Sequence, residues 1–98
     1  GLDMHTASIF PGLDRLNDAF DLNTSKILVP ISSPRIKEKR LTLTVKVLRE
    51  AQKTHILITG SEKKEALAFA LKSKDSWDVA PVRSILYGQS DVKIHFAY

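Results

Sequence analysis

The stretch from Thr54 to Ser73 restricts the fold more than any other part of the chain. Thr54 to Thr59 (THILIT) is a short, nearly continuous apolar run, the pattern of a central strand covered on both faces. Gly60 ends it, and Ser61 is a residue type suited to cap the helix that follows. That helix, over roughly 61–73, places Ala66, Phe69, Ala70 and Ser73 on one stripe with Leu67 and Leu71 beside it. A strand, a glycine and an amphipathic helix form the repeating half of an α/β sheet.

The flanking segments fit the same alternation. Leu13, Leu16, Ala19 and Phe20 give residues 13–20 a helical spacing, after a turn-rich segment 1–12 in which Thr6 to Phe10 is expected to make a helical turn. Lys26 to Pro30 reads as a strand ended by its proline, and the polar, basic residues 31–39 read as a loop. Arg40 to Thr44 is rich in β-formers and passes into a helical turn over Val45 to Gln52. A short strand is expected at 82–87, beyond a loop holding Trp77 and Pro81. In Asp91 to Tyr98, Val92, Ile94, Phe96 and Tyr98 alternate with Lys93, His95 and Ala97, a period-two strand. The expected class is α/β, one compact unit of 98 residues with parallel pairings and helices on the sheet faces.

Composition narrows the chemistry. An apolar fraction of 43% supplies enough side chains for a core and excludes a mainly disordered chain. With no cysteine, disulfides, thiolate metal sites and thiol nucleophiles are excluded. No apolar run has the length of a membrane span and no signal-peptide pattern opens the chain, so no membrane is expected as partner and a cytoplasmic location is the simplest expectation. The net charge of +4 suits an anionic ligand. The aromatics are few and most sit in apolar strands or helices, unlike those of a nucleic-acid surface, so no nucleic acid is expected as partner.

Three segments carry candidate chemistry. In Asp3-Met4-His5-Thr6-Ala7-Ser8-Ile9-Phe10-Pro11-Gly12, a carboxylate two residues before a histidine suits a general base whose imidazole is oriented by the acid. The same pair is also the pattern of an ordinary surface turn. Arg35 and Arg40 lie in a basic stretch that either approaches an anion or is a solvated loop. At Gly60-Ser61-Glu62-Lys63-Lys64 a helix begins after a strand and a glycine, an arrangement whose free N–H groups and dipole favour an anion. Two lysines in a first turn oppose that dipole unless an anionic ligand is present. His55 and His95 have no metal-like partner three or four residues away and read as structural.

The opening segment is similar to the signature of the 6-phosphogluconolactonase and glucosamine-6-phosphate isomerase/deaminase superfamily. That signature runs G-x-D-G-H-[TI]-A-S-[LI]-F-P-G in the lactonase branch. Asp3, His5, Thr6, Ala7, Ser8, Phe10, Pro11 and Gly12 match it, and Met4 stands where the family has glycine. A positive φ there would cost a methionine about 1–2 kcal/mol. Ser32-Ser33-Pro34-Arg35 and Arg40-Leu41-Thr42-Leu43-Thr44 resemble the loop and strand that follow in lactonases, and Gly60 to Lys63 resembles the superfamily's Gly-Ser-x-Lys.

The resemblance implies part of a Rossmann-like three-layer fold with a mainly parallel sheet and flanking helices. It makes His5 the base that activates water and Asp3 its acidic neighbour. Arg40, Lys63, Arg35 and Ser61 are implied at the substrate and its phosphate. The deaminase branch has a glutamate where this chain has Phe10, a side chain that cannot transfer a proton, so hydrolysis of a phosphorylated sugar lactone is implied, without cofactor or metal. The other readings are a non-catalytic phosphosugar-binding module and a deaminase/isomerase-type enzyme. Beginning at Gly1 in mid-motif, residues 1–98 are expected to be the C-terminal portion of a single domain. They would be inactive alone and prone to self-association through an incomplete sheet.

Overall fold

The computed structural model describes residues 2–12, 17–33, 36–88 and 91–98. After the loop at 2–12 come helix α1 (Asn17–Phe20), strand β1 (Leu28–Ser33), strand β2 (Ile36–Leu43) and helix α2 (Val45–Arg49). Strand β3 (Lys53–Thr59), helix α3 (Ser61–Ala70), helix α4 (Arg83–Leu86) and strand β4 (Asp91–Ala97) complete the order. The α/β class read from the alternation is the class observed. No helix among the described residues is long and apolar enough to cross a membrane.

β3 and β4 run parallel in continuous register from Lys53↔Asp91 to Thr59↔Ala97, joined by the crossover that contains α3 and α4. β1 and β2 form a separate antiparallel hairpin, pairing Leu28↔Leu43 through Ile31↔Arg40 with an irregularity before Ser33. This hairpin corrects the expected loop at 31–39. The charges of Lys37, Glu38 and Lys39 suggest a solvated loop, yet the backbone there pairs along a strand. The start of the expected helix at 13–20 lies outside the described residues, and its last turn is α1.

Ile9, Ala19, Val29, Ile31, Val45 and Ile85 form the buried core, with Phe20, Leu48 and Trp77 packed against it. One residue of that core, Ile9, belongs to the loop that carries Asp3 and His5. Burying it ties the loop to the hairpin and to α4, by about 1.5–3 kcal/mol for a fully buried isoleucine.

Further expectations are corrected. Residues 83–86 are helical where a strand was expected at 82–87. Arg83, 5% exposed, turns back to bond the carbonyls of Ala70, Asp75 and Phe69 at 3.0, 3.0 and 3.2 Å, so it closes the C-terminal end of α3. β3 is not covered on both faces. Its exposure alternates along the strand, and Leu57 on the outer face is 76% exposed. His55 is on this outer face, exposed, and bonds His95 (Nδ1 to Nε2, 2.8 Å).

Candidate active site

The loop at 3–10 is shaped by two positive φ angles and a tight reversal. Met4 has φ of +64°, so the position where the signature has glycine does adopt the left-handed region. At the reversal, Thr6 and Ile9 exchange both backbone hydrogen bonds (3.2 and 2.8 Å) around Ala7, whose φ is +50°. This is a hairpin-like turn and not the helical turn expected over Thr6 to Phe10. Three tethers hold it. Ile9 is in the core, Thr42 Oγ1 accepts the Ser8 N–H at 3.1 Å, and the Met4 carbonyl accepts the Val82 N–H at 3.0 Å.

Asp3 and His5 come together as expected. One carboxylate oxygen, Asp3 Oδ1, lies 2.6 Å from His5 Nδ1 and also accepts the His5 backbone N–H at 3.1 Å. Burial on its own pushes the Asp3 carboxyl up, but the side-chain and backbone hydrogen bonds from His5 outweigh it and hold the pKa below the ordinary aspartate value. With Nδ1 engaged by the carboxylate, Nε2 is the nitrogen left to accept a proton. The imidazole is stacked on Phe10, ring centres 4.6 Å apart and planes 29° from parallel.

Lys63 and His5 line one cleft of about 300 Å³. Its walls are the loop at 4–7, the 55–58 stretch of β3, the α3 residues Lys63, Ala66 and Leu67, and Val82. Lys63 is exposed in the first turn of α3, close to where the helix leaves Gly60 with φ of +89°. Gly60 is the capping residue, so Ser61 is the first helical residue and makes no side-chain cap. Ser61 lines a separate shallow depression with Leu2, Gly60 and Lys63, beside the His5 cleft and not in it. The second lysine, Lys64, lies 5.0 Å over the Phe96 ring, so its place near a helix start has an explanation that needs no anion.

Arg40 does not line the His5 cleft. Its guanidinium carbon sits 5.3 Å over the Phe10 ring. Arg35 lies outside the described residues. Thr42, Val82 and Phe10 as a stacking partner went unrecognised in the sequence. The alternation of β2, which puts Thr42 and Arg40 on one face two residues apart, is the signal that could have found Thr42. Among the described residues no group of three or more His, Cys, Asp or Glu side chains is placed to hold a metal ion.

Comparison with known proteins shows the family and the fold. The family described as glucosamine-6-phosphate isomerases/6-phosphogluconolactonase matches residues 1–94. A 6-phosphogluconolactonase of Rhizobium meliloti is 39% identical over 98 residues, 99% of this chain and 42% of the relative. One of Pseudomonas putida is 30% identical over 92 residues, 94% of this chain and 38% of the relative. Among solved structures, a 6-phosphogluconolactonase from Shewanella baltica superposes with a TM-score of 0.90 at 24% identity, covering 100% of this chain and 41% of that one, a likeness of fold. One from Trypanosoma cruzi gives 0.71 at 27% identity, covering 99% and 35%. The chain thus spans about two fifths of the length of the curated relatives it matches.

Proposed function

The chain belongs to the family of glucosamine-6-phosphate isomerases and 6-phosphogluconolactonases, and on that premise we propose that it supplies the base and part of the phosphate site of a carboxylic ester hydrolase acting on 6-phospho-D-glucono-1,5-lactone. The observation that carries this reading is the Asp3–His5 pair, whose 2.6 Å contact occupies Nδ1 and leaves Nε2 for a proton. His5 takes a proton from water as the water oxygen bonds to the lactone carbonyl carbon. The bond from that carbon to the ring oxygen then breaks, and His5 returns the proton to the departing oxygen, giving 6-phosphogluconate. Asp3 keeps the imidazole oriented and stabilises its cationic form.

Lys63 lines the same cleft as His5, which suits a cation holding the phosphate of a ligand whose carbonyl lies beside the base. Arg40, Arg35 and Ser61 are assigned to the same substrate from outside the cleft lining, Arg40 over the Phe10 ring and Ser61 at the neighbouring depression, with Arg35 outside the described residues. Phe10, standing where the deaminase branch has a glutamate, favours hydrolysis over deamination. The role belongs in the oxidative pentose phosphate pathway, in the cytoplasm. Residues 1–98 form the C-terminal portion of one domain, so the isolated chain has little or no turnover.

The test is a chimera in which this chain replaces the matching segment of the Rhizobium meliloti relative. His5→Ala there should lower lactone turnover by about 10²–10⁴-fold while phosphosugar affinity is kept. Lactone turnover unaffected by His5→Ala would remove His5 from the reaction. A chimera that binds 6-phosphogluconate and never turns over the lactone would favour the non-catalytic binding module.

A further inference from the structure

The turn around Ala7 has a consequence for the residues just outside it. Thr6 and Ile9 are a hydrogen-bonded pair, so His5 and Phe10 are the next pair across the turn, without backbone hydrogen bonds between them. In such a pair the Cα atoms approach to about 4.5 Å and the side chains lie closer than in a hydrogen-bonded pair. Side chains alternate along each arm of the turn. Ile9 is fully buried in the core, and Phe10 is therefore sent to the opposite side, where its ring meets the imidazole at 4.6 Å. β2 completes the arrangement. Thr42 holds the Ser8 N–H, and two residues earlier on the same strand face Arg40 lies 5.3 Å over the Phe10 ring.

We propose that Phe10 is a positioning residue. Its ring sets the plane of the His5 imidazole and also holds the Arg40 guanidinium, so that base and cation are placed as one unit. Asp3 constrains His5 by one contact at Nδ1, which leaves the ring free to swing about that bond. A flat aromatic surface removes that freedom. Phe10 is not among the residues lining the cleft, so it acts through His5 and not on a ligand. This role rests on the hydrolase reading for its catalytic meaning, while the stack itself does not.

Proton NMR of the chain tests it. Nuclei over an aromatic face are shielded, so the His5 ring protons should resonate upfield and show cross-relaxation with the Phe10 ring. Phe10→Leu should abolish the upfield displacement, and Phe10→Tyr should restore it. Absence of cross-relaxation between the two rings in the unsubstituted chain would overturn the proposal. So would His5 shifts unchanged by Phe10→Leu. If Phe10→Leu fails to fold, the unsubstituted chain and Phe10→Tyr still decide the matter. In the chimera, Phe10→Leu should lower kcat about tenfold with KM changed less than about twofold, as for a misplaced base. A raised KM with unchanged kcat would instead make Phe10 a binding residue. A chimera without turnover in any form tells against the hydrolase reading and leaves the NMR result for Phe10 intact.

Discussion

The hydroxyl of Thr42, on the inner face of the β1–β2 hairpin, accepts the backbone N–H of Ser8 at 3.1 Å, so a strand 34 residues away fixes the loop that carries His5. Thr42 is 1% exposed and its hydroxyl also donates to the Leu43 carbonyl at 3.0 Å. Thr42→Val keeps the shape and removes the acceptor, leaving the Ser8 N–H without it. The expected cost is about 1–3 kcal/mol, measured as a lowered urea midpoint with unchanged slope. In the chimera, turnover should fall as well, because the loop loses a tether. Stability lost without any effect on turnover would show that Ile9 and Val82 hold His5 unaided.

Met4 occupies a backbone position that suits glycine, with φ of +64°. Relief of about 1–2 kcal/mol on replacing it is offset by roughly 0.5–1 kcal/mol of added chain entropy in the unfolded state. Met4→Gly should therefore stabilise the chain slightly, by about 0.5–1 kcal/mol in a denaturant titration. A net loss would mean that the methionine side chain, which lines the cleft, contributes more by packing than its backbone costs.

The lowered Asp3 pKa gives the loop an acid limit. Since the folded-state value lies below the unfolded one, the contribution of Asp3 to stability is fully present above about pH 4, near the ordinary aspartate value, and is lost as pH falls through the folded value. The chain should be more stable than its Asp3→Asn variant at pH 6, and the gap should close toward pH 3. With the Asp3 side chain 47% exposed, solvent screening keeps the effect small, and added salt should shrink it further. A gap of constant size from pH 6 to pH 3 would exclude the charge of Asp3 as its source.

The outer faces of the two sheets carry exposed apolar side chains. Leu57 on β3 is 76% exposed and Leu41 on β2 is 64% exposed, opposite Pro30 in register. Self-association of the isolated chain is the outcome expected from that surface. Sedimentation velocity should show concentration-dependent species larger than 11.0 kDa, reduced by Leu41→Lys and Leu57→Lys together. A single monomeric species at high concentration would refute it.

Much of this arrangement is legible in the order of the residues alone. The apolar run at 54–59, the glycine after it and the alternation at 91–98 are local patterns, and each predicts its element because burial selects side chains at the element's own period. The pairing of Asp3 with His5 is local in the same sense, since two residues separate them in a turn. The misread segments share a different cause. Residues 36–39 carry the charges of a loop and become a strand because β1 offers a partner. Residues 83–86 carry β-branched and apolar neighbours and become a helix because Arg83 and Ser84 are buried there.

By itself, then, the sequence determined the α/β class, the family signature and the pairing of His5 with its acidic neighbour. Only the tertiary structure decided which cations share the base's surroundings. Lys63 reaches the cleft because α3 starts beside the 4–7 loop, whereas Arg40 is engaged by Phe10 because β2 passes beneath the turn. The physical reason is distance along the chain. A hydrogen bond between residues two apart in a turn is written in local spacing, but the His5–Phe10 stack and contacts across thirty or more residues depend on how strands register and where the core forces the loop to lie.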